Sequence, residues 1–137
     1  MPFLEKETIT NMSPKIVLII AGVLGAVAVG LGAFGAHGLE ATLTANGRLA
    51  TYETAVKYQF YHTLALLLVG ILMININHEY FSWAAWSLLI GTIIFSGSLY
   101  ILSLTNITWL GAITPIGGIA LIVGWVFLIL GALRANY

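Results

Sequence analysis

The side chains of this chain with the means to do chemistry are His37, Glu53, Lys57, Tyr58, His62, Ser96, Ser98 and Thr114, all set among apolar segments. His37 closes the stretch GLGAFGAH, and the run TYETAVKYQFYH carries Glu53, Lys57, Tyr58 and His62. On a helix, Glu53 and Lys57 stand i,i+4 in the favourable order, with Tyr58 and His62 at the same spacing on a neighbouring face. Two imidazoles on adjacent antiparallel helices could ligate haem, or a metal together with Glu40 or Glu53. The same groups, with serine hydroxyls opposite, could instead line a polar pocket for a lipid headgroup, a quinone or a small solute. The chain has no cysteine, no HExxH motif and only two histidines on the membrane side. No catalytic residue, metal site or cofactor is therefore assigned.

Each of these residues also has a structural use. Lys57 can snorkel to the interface with Glu53 as its partner. His62 can hydrogen-bond a serine of the third span simply to fix packing, and His37 can end a helix at the water boundary. FSGSLY (95–100) reads as a close-packing patch, and Thr114-Pro115 as an N-cap followed by proline in the first turn. Trp125 lies mid-span, where its indole N–H needs an acceptor inside the bundle.

Composition decides what positions these groups. The chain has 137 residues, 60% of them hydrophobic and 7% charged, with mean hydropathy +1.01. A soluble domain carries about 25% charged residues, so this surface suits lipid and not water. The formal net charge is zero and there is no basic tract, which argues against nucleic acid as a partner. A spanning helix needs about 20 mainly apolar residues, and four segments qualify: 16–36, 55–74, 83–104 and 110–133. Their connections are short, so sequential neighbours run antiparallel. The expectation is an all-α, up-down-up-down bundle of four transmembrane helices forming one domain (15–137), after a polar tail (1–14). Between the first two spans, Leu39, Leu43 and Leu49 alternate with Glu40, Thr44 and Arg48. This predicts a short helix lying on the membrane surface, broken at Asn46-Gly47.

Both termini and the 75–82 connection then share one face, side A; the 38–51 and 105–109 connections share side B. Tyr80, Phe81, Trp83 and Trp86 mark the side A interface, and Tyr100 and Trp109 the side B interface. Lys6, Lys15 and Arg134 on side A against Arg48 and Lys57 on side B point to cytoplasmic termini in a cell membrane. The eight residues named at the outset all fall in the side B half and the side A half has almost no such residue, which is the most informative asymmetry in the chain. Gly22, Ala26 and Gly30 make a small-xxx-small stripe on the first span. Gly91 with Ala84 and Ser98, and Gly117 with Gly124 and Gly131, recur at seven-residue spacing. Such smooth faces let helix backbones approach closely, within the bundle or against a second copy or a larger membrane complex.

Four blocks, GAFGAHGL (32–39), YQFYHTLALLLVG (58–70), FSGSLY (95–100) and GAITPIGGIALIVGW (111–125), resemble the signature segments of the small membrane proteins catalogued as domain of unknown function 423. The resemblance covers about residues 13–133. It implies four transmembrane helices and supplies no catalytic residues. The leading functional expectation is a non-enzymatic, membrane-stabilising or accessory component. The alternative is a lipid-, quinone- or solute-binding or transport module built on the side B pocket, and the third reading is a haem- or metal-binding enzyme.

Overall fold

The computed structural model describes residues 11–137; the first ten residues of the expected polar tail lie outside the described residues. The chain forms α1 (Pro14–Ala36), α2 (Glu40–Ala45), α3 (Leu49–Asn75), α4 (Glu79–Thr105) and α5 (Thr114–Arg134), with a 3-10 turn at Thr108–Ala112 before α5. There is no strand among the described residues. α1, α3, α4 and the run 108–134 are each long and apolar enough to cross a membrane. Ser13 caps α1 by accepting the Ile16 N–H, and Pro14 and Pro115 occupy first-turn positions, where proline's missing N–H costs nothing.

The helices overrun the hydrocarbon-length segments read from hydropathy. α3 begins at Leu49 and not at Ala55, and α4 runs from Glu79 to Thr105. Continuing the helix into the polar flanks keeps the main-chain groups bonded internally. One consequence is that Thr51 lies inside α3 and does not cap it; the cap position is Arg48, and Glu53 falls beyond the first turn. Thr114 is likewise the first residue of α5 and not its cap, which is Ile113.

α5 packs on α4 through its glycines. A Cβ at Gly124 would stand 2.8 Å from Leu88 Cγ, one at Gly131 2.9 Å from Phe81, and one at Gly117 would collide with the Phe95 backbone. Phe81, Leu88 and Phe95 recur at the same seven-residue interval in the opposite direction, so the two helices interlock antiparallel. Gly91 completes the seam by receiving Leu121. Phe81, expected in the side A aromatic belt, is therefore a core residue with 1% of its surface exposed. On α1 the close approaches are Gly25 to Thr63, Gly32 to Val56 and Gly35 to Tyr52, again antiparallel. Gly22 and Gly30 have nothing within 4 Å, and Ala26 is exposed. The small-residue stripe on α1 faces outward.

Each long helix packs against the next in sequence, and among the described residues α1 and α5 make no comparable contact with each other. α3 and α4 thus form the centre, and α1 and α5 the flanks. α2 is the expected surface helix. Leu43 is fully buried beneath it, and the chain reverses at Gly47, where φ is +65°. Asn46 Nδ2 donates to the carbonyls of Ser103 and Leu104 at 3.1 and 3.3 Å, and Arg48 Nε donates to Asn106 Oδ1 at 2.9 Å. The two Asn46 bonds satisfy main-chain carbonyls at the end of α4 that have no partner within the helix, and the Arg48 bond holds the side chain of its C-cap residue. At the opposite end, the Met12 N–H donates to Ser82 Oγ at 2.9 Å, and Met12 and Ala135 pack into the cluster that contains Phe81. Both ends of the described chain therefore reach one end of the bundle.

Gly117→Leu and Gly124→Leu should each destabilise the fold by about 1–3 kcal/mol or more, as overpacking does, whereas Gly22→Leu should leave it unchanged. Thermal unfolding in detergent measures the contrast. Asn46→Ala should expose the 38–51 connection to limited proteolysis that the parent chain resists.

Candidate functional site

The Leu49–Asn75 helix has 27 residues, and His62 is its central one. At a rise of about 1.5 Å per residue it lies about 20 Å from either end, deeper than the count from Ala55 implies. His62 is 7% exposed. Its Nδ1 is 2.8 Å from the Tyr58 carbonyl, and its Nε2 is 3.2 Å from Trp125 Nε1 on α5. A carbonyl only accepts and an indole N–H only donates. The ring must therefore carry its proton on Nδ1, give it to Tyr58, and accept from Trp125 with Nε2. Both ring nitrogens are thus engaged in hydrogen bonds. The partner is the indole that hydropathy placed mid-span, and not a serine of α4. Tyr58 stacks on Phe95 with ring centroids 4.5 Å apart, covering the same corner.

A second polar group escaped the sequence reading. Tyr100, expected at the side B interface, turns inward and donates to Gln59 Oε1 at 2.6 Å. Gln59 Nε2 donates to the Leu24 carbonyl at 2.9 Å, so one side chain joins α1, α3 and α4. Tyr52 extends the cluster: its hydroxyl donates to the Leu31 carbonyl, and its ring meets Tyr100 edge-on at 5.2 Å. One signal was available. Gln59 is the chain's only glutamine and falls in an apolar run, where an amide must find partners inside the bundle.

Some hydroxyls act between helices, whereas those of Thr92 and Ser103 bond back to the Leu88 and Leu99 carbonyls of their own helix. Ser96 Oγ donates to the Ala55 carbonyl at 2.7 Å, tying α4 to α3. Ser98 and Thr114 bring their hydroxyls to 2.7 Å across α4 and α5, and the Ser98 hydroxyl lies 2.9 Å from the Phe95 carbonyl. Thr63 Oγ1 is buried with no hydrogen-bond partner among the described residues.

The eight residues expected around one pocket thus occupy separate places. His62 sits mid-bundle towards α5, Tyr58 is exposed and stacks on Phe95 of α4, Ser96 faces α3, and Ser98 pairs with Thr114. His37 is exposed at the C-cap of α1. That is about 20 Å from His62 along the axis, so the two imidazoles do not border one site. Glu53 and Lys57 are exposed and line a groove between α1 and α3, about 500 Å³ in volume, with Glu40, Tyr52 and Val56. No ion pair joins Glu53 to Lys57.

Residues 31–118 match the family model described as protein of unknown function (DUF423). The chain is 52% identical over 123 residues to a UPF0382 membrane protein of Staphylococcus saprophyticus, covering 86% of this chain and 98% of the relative. It is 42% identical to the UPF0382 membrane protein YwdK of Bacillus subtilis, covering 88% and 98% respectively. It is 38% identical to the UPF0382 inner membrane protein YgdD of Escherichia coli, covering 90% and 93%. No solved structure matches the chain.

Gln59→Leu would strand the Tyr100 hydroxyl in apolar surroundings. It should destabilise the protein by about 1–2 kcal/mol, and Tyr100→Phe in the same chain should return part of that loss by removing the stranded group. Unfolding of the single and double variants in detergent checks both statements.

Proposed function

Because the chain belongs to the DUF423 family of membrane proteins, we propose that it is a non-enzymatic component of the cell membrane that acts through helix contacts, as an accessory or stabilising partner. The observation that carries this reading is the use made of the intramembrane polar groups. His62, Gln59, Ser96, Ser98 and Thr114 are all engaged in bonds between helices, which leaves no set of side chains among the described residues converging on a reacting atom.

The outer face of α1 supplies the contact. Gly22, Ala26 and Gly30 form a smooth outward stripe beside exposed Ile19, Val23 and Val27. Lipid tails solvate apolar side chains as well as a protein does, so in a bilayer a stripe that admits close backbone approach favours another helix. That helix belongs to a second copy or to a larger membrane complex, with the termini of this chain in the cytoplasm. The 500 Å³ groove between α1 and α3 favours a second reading, a lipid-binding module.

The chain has no cysteine, so single-cysteine variants report cleanly. Ala26→Cys should crosslink in native membranes to one defined polypeptide, identified by mass spectrometry, while Ile122→Cys on the exposed face of α5 should not. Equal labelling at both positions, or none at Ala26→Cys, would remove the reading.

A further inference from the structure

The groove between α1 and α3 opens at the end of the bundle that carries α2. Its floor is apolar, built from Gly32, Leu49 and Val56. Glu40, Glu53 and Lys57 stand on its rim; all three are exposed, and none is ion-paired to another described residue. Glu53 and Lys57 lie about 6 and 12 Å along α3 from its first residue, and Gly32 about 6 Å from the end of α1. The charges therefore lie within about 12 Å of this end of the bundle, and Gly32 and Val56, which face each other, form the inner apolar wall beside Lys57.

We propose that this groove binds a phospholipid with a primary-amine headgroup. The ammonium lies between Glu40 and Glu53, the phosphate meets Lys57, and an acyl chain lies along Gly32 and Val56. Charge complementarity selects this occupant. The rim carries two carboxylates and one ammonium, a net negative charge that favours a headgroup with its cation outermost and its single anion next to Lys57. It disfavours an anionic headgroup, which would set a second negative charge or a bare hydroxyl against the carboxylates. The three charges are unpaired within the described chain, so the ligand completes them without breaking a protein contact. The proposal does not depend on the accessory role, which concerns the opposite face of α1.

The test is native mass spectrometry of the detergent-solubilised protein titrated with phosphatidylethanolamine or phosphatidylglycerol. The parent chain should retain phosphatidylethanolamine about fivefold better, the factor expected of one partly exposed ion pair. Glu40→Gln with Glu53→Gln should abolish the preference, and Glu53→Lys should invert it. Lys57→Gln should weaken retention of both lipids. These exposed substitutions should leave thermal unfolding unchanged, which separates loss of binding from loss of fold. Equal retention of the two lipids by the parent chain, a preference unaltered in the double variant, or a bound mass equal to a second copy in place of lipid would each overturn the proposal.

Discussion

Hydrocarbon offers a polar side chain no water, so every such group in these helices must bond inside the protein or cost several kcal/mol. That constraint organises the molecule. α3 and α5 are not neighbours in sequence and share few backbone contacts, yet the Trp125 N–H reaches His62 across the middle of the bundle at 3.2 Å. Two groups that hydrocarbon would penalise singly satisfy each other, and in doing so they set the rotation of both helices. Gln59 does the same for α1, α3 and α4 by donating to Leu24 while accepting from Tyr100. His62, Trp125, Gln59 and Tyr100 are fasteners placed where apolar packing alone leaves helix rotation undecided.

Apolar packing settles the remaining freedom. The glycine seam of α5 fits Phe81, Leu88 and Phe95 because the two series share a seven-residue interval, the spacing of left-handed antiparallel packing. Once that seam forms, Ser98 and Thr114 are brought within 2.7 Å and Phe81 is drawn into the core. α1 is held differently, by Tyr52 seated against Gly35 and by the α2 connection anchored to the end of α4 through Asn46. Only one face of α1 is used in this way, which leaves the Gly22 face outward.

The spans, their antiparallel order and the surface helix at Glu40–Ala45 were legible because hydropathy, span length and alternation act locally. Helix rotation was not. α1 offers two small-residue faces, Gly22–Ala26–Gly30 and Gly25–Ala28–Gly32–Gly35, and spacing alone ranks neither. The choice is made by Tyr52, a residue on another helix. Tyr100 was assigned to the interface because a tyrosine near a helix end commonly sits there; its partner, Gln59, is visible only once α3 and α4 are set side by side. The expected polar pocket gathered residues by depth, whereas the structure separates them by direction: Glu53 and His62 are nine positions apart, close to half a turn out of phase on a helix. The need of Trp125 for an internal acceptor was readable, and the identity of that acceptor was not.

The account rests on the polar groups being bonds between helices, and His62 with Trp125 is the pair at its centre. A double-mutant cycle with His62→Leu and Trp125→Phe, followed by reversible unfolding in detergent or bicelles, measures that bond directly. A coupling energy of about 0.5–1.5 kcal/mol is expected for an intramembrane hydrogen bond, with each single variant less stable than the parent. Strictly additive effects, or a stability unmoved by either substitution, would contradict it.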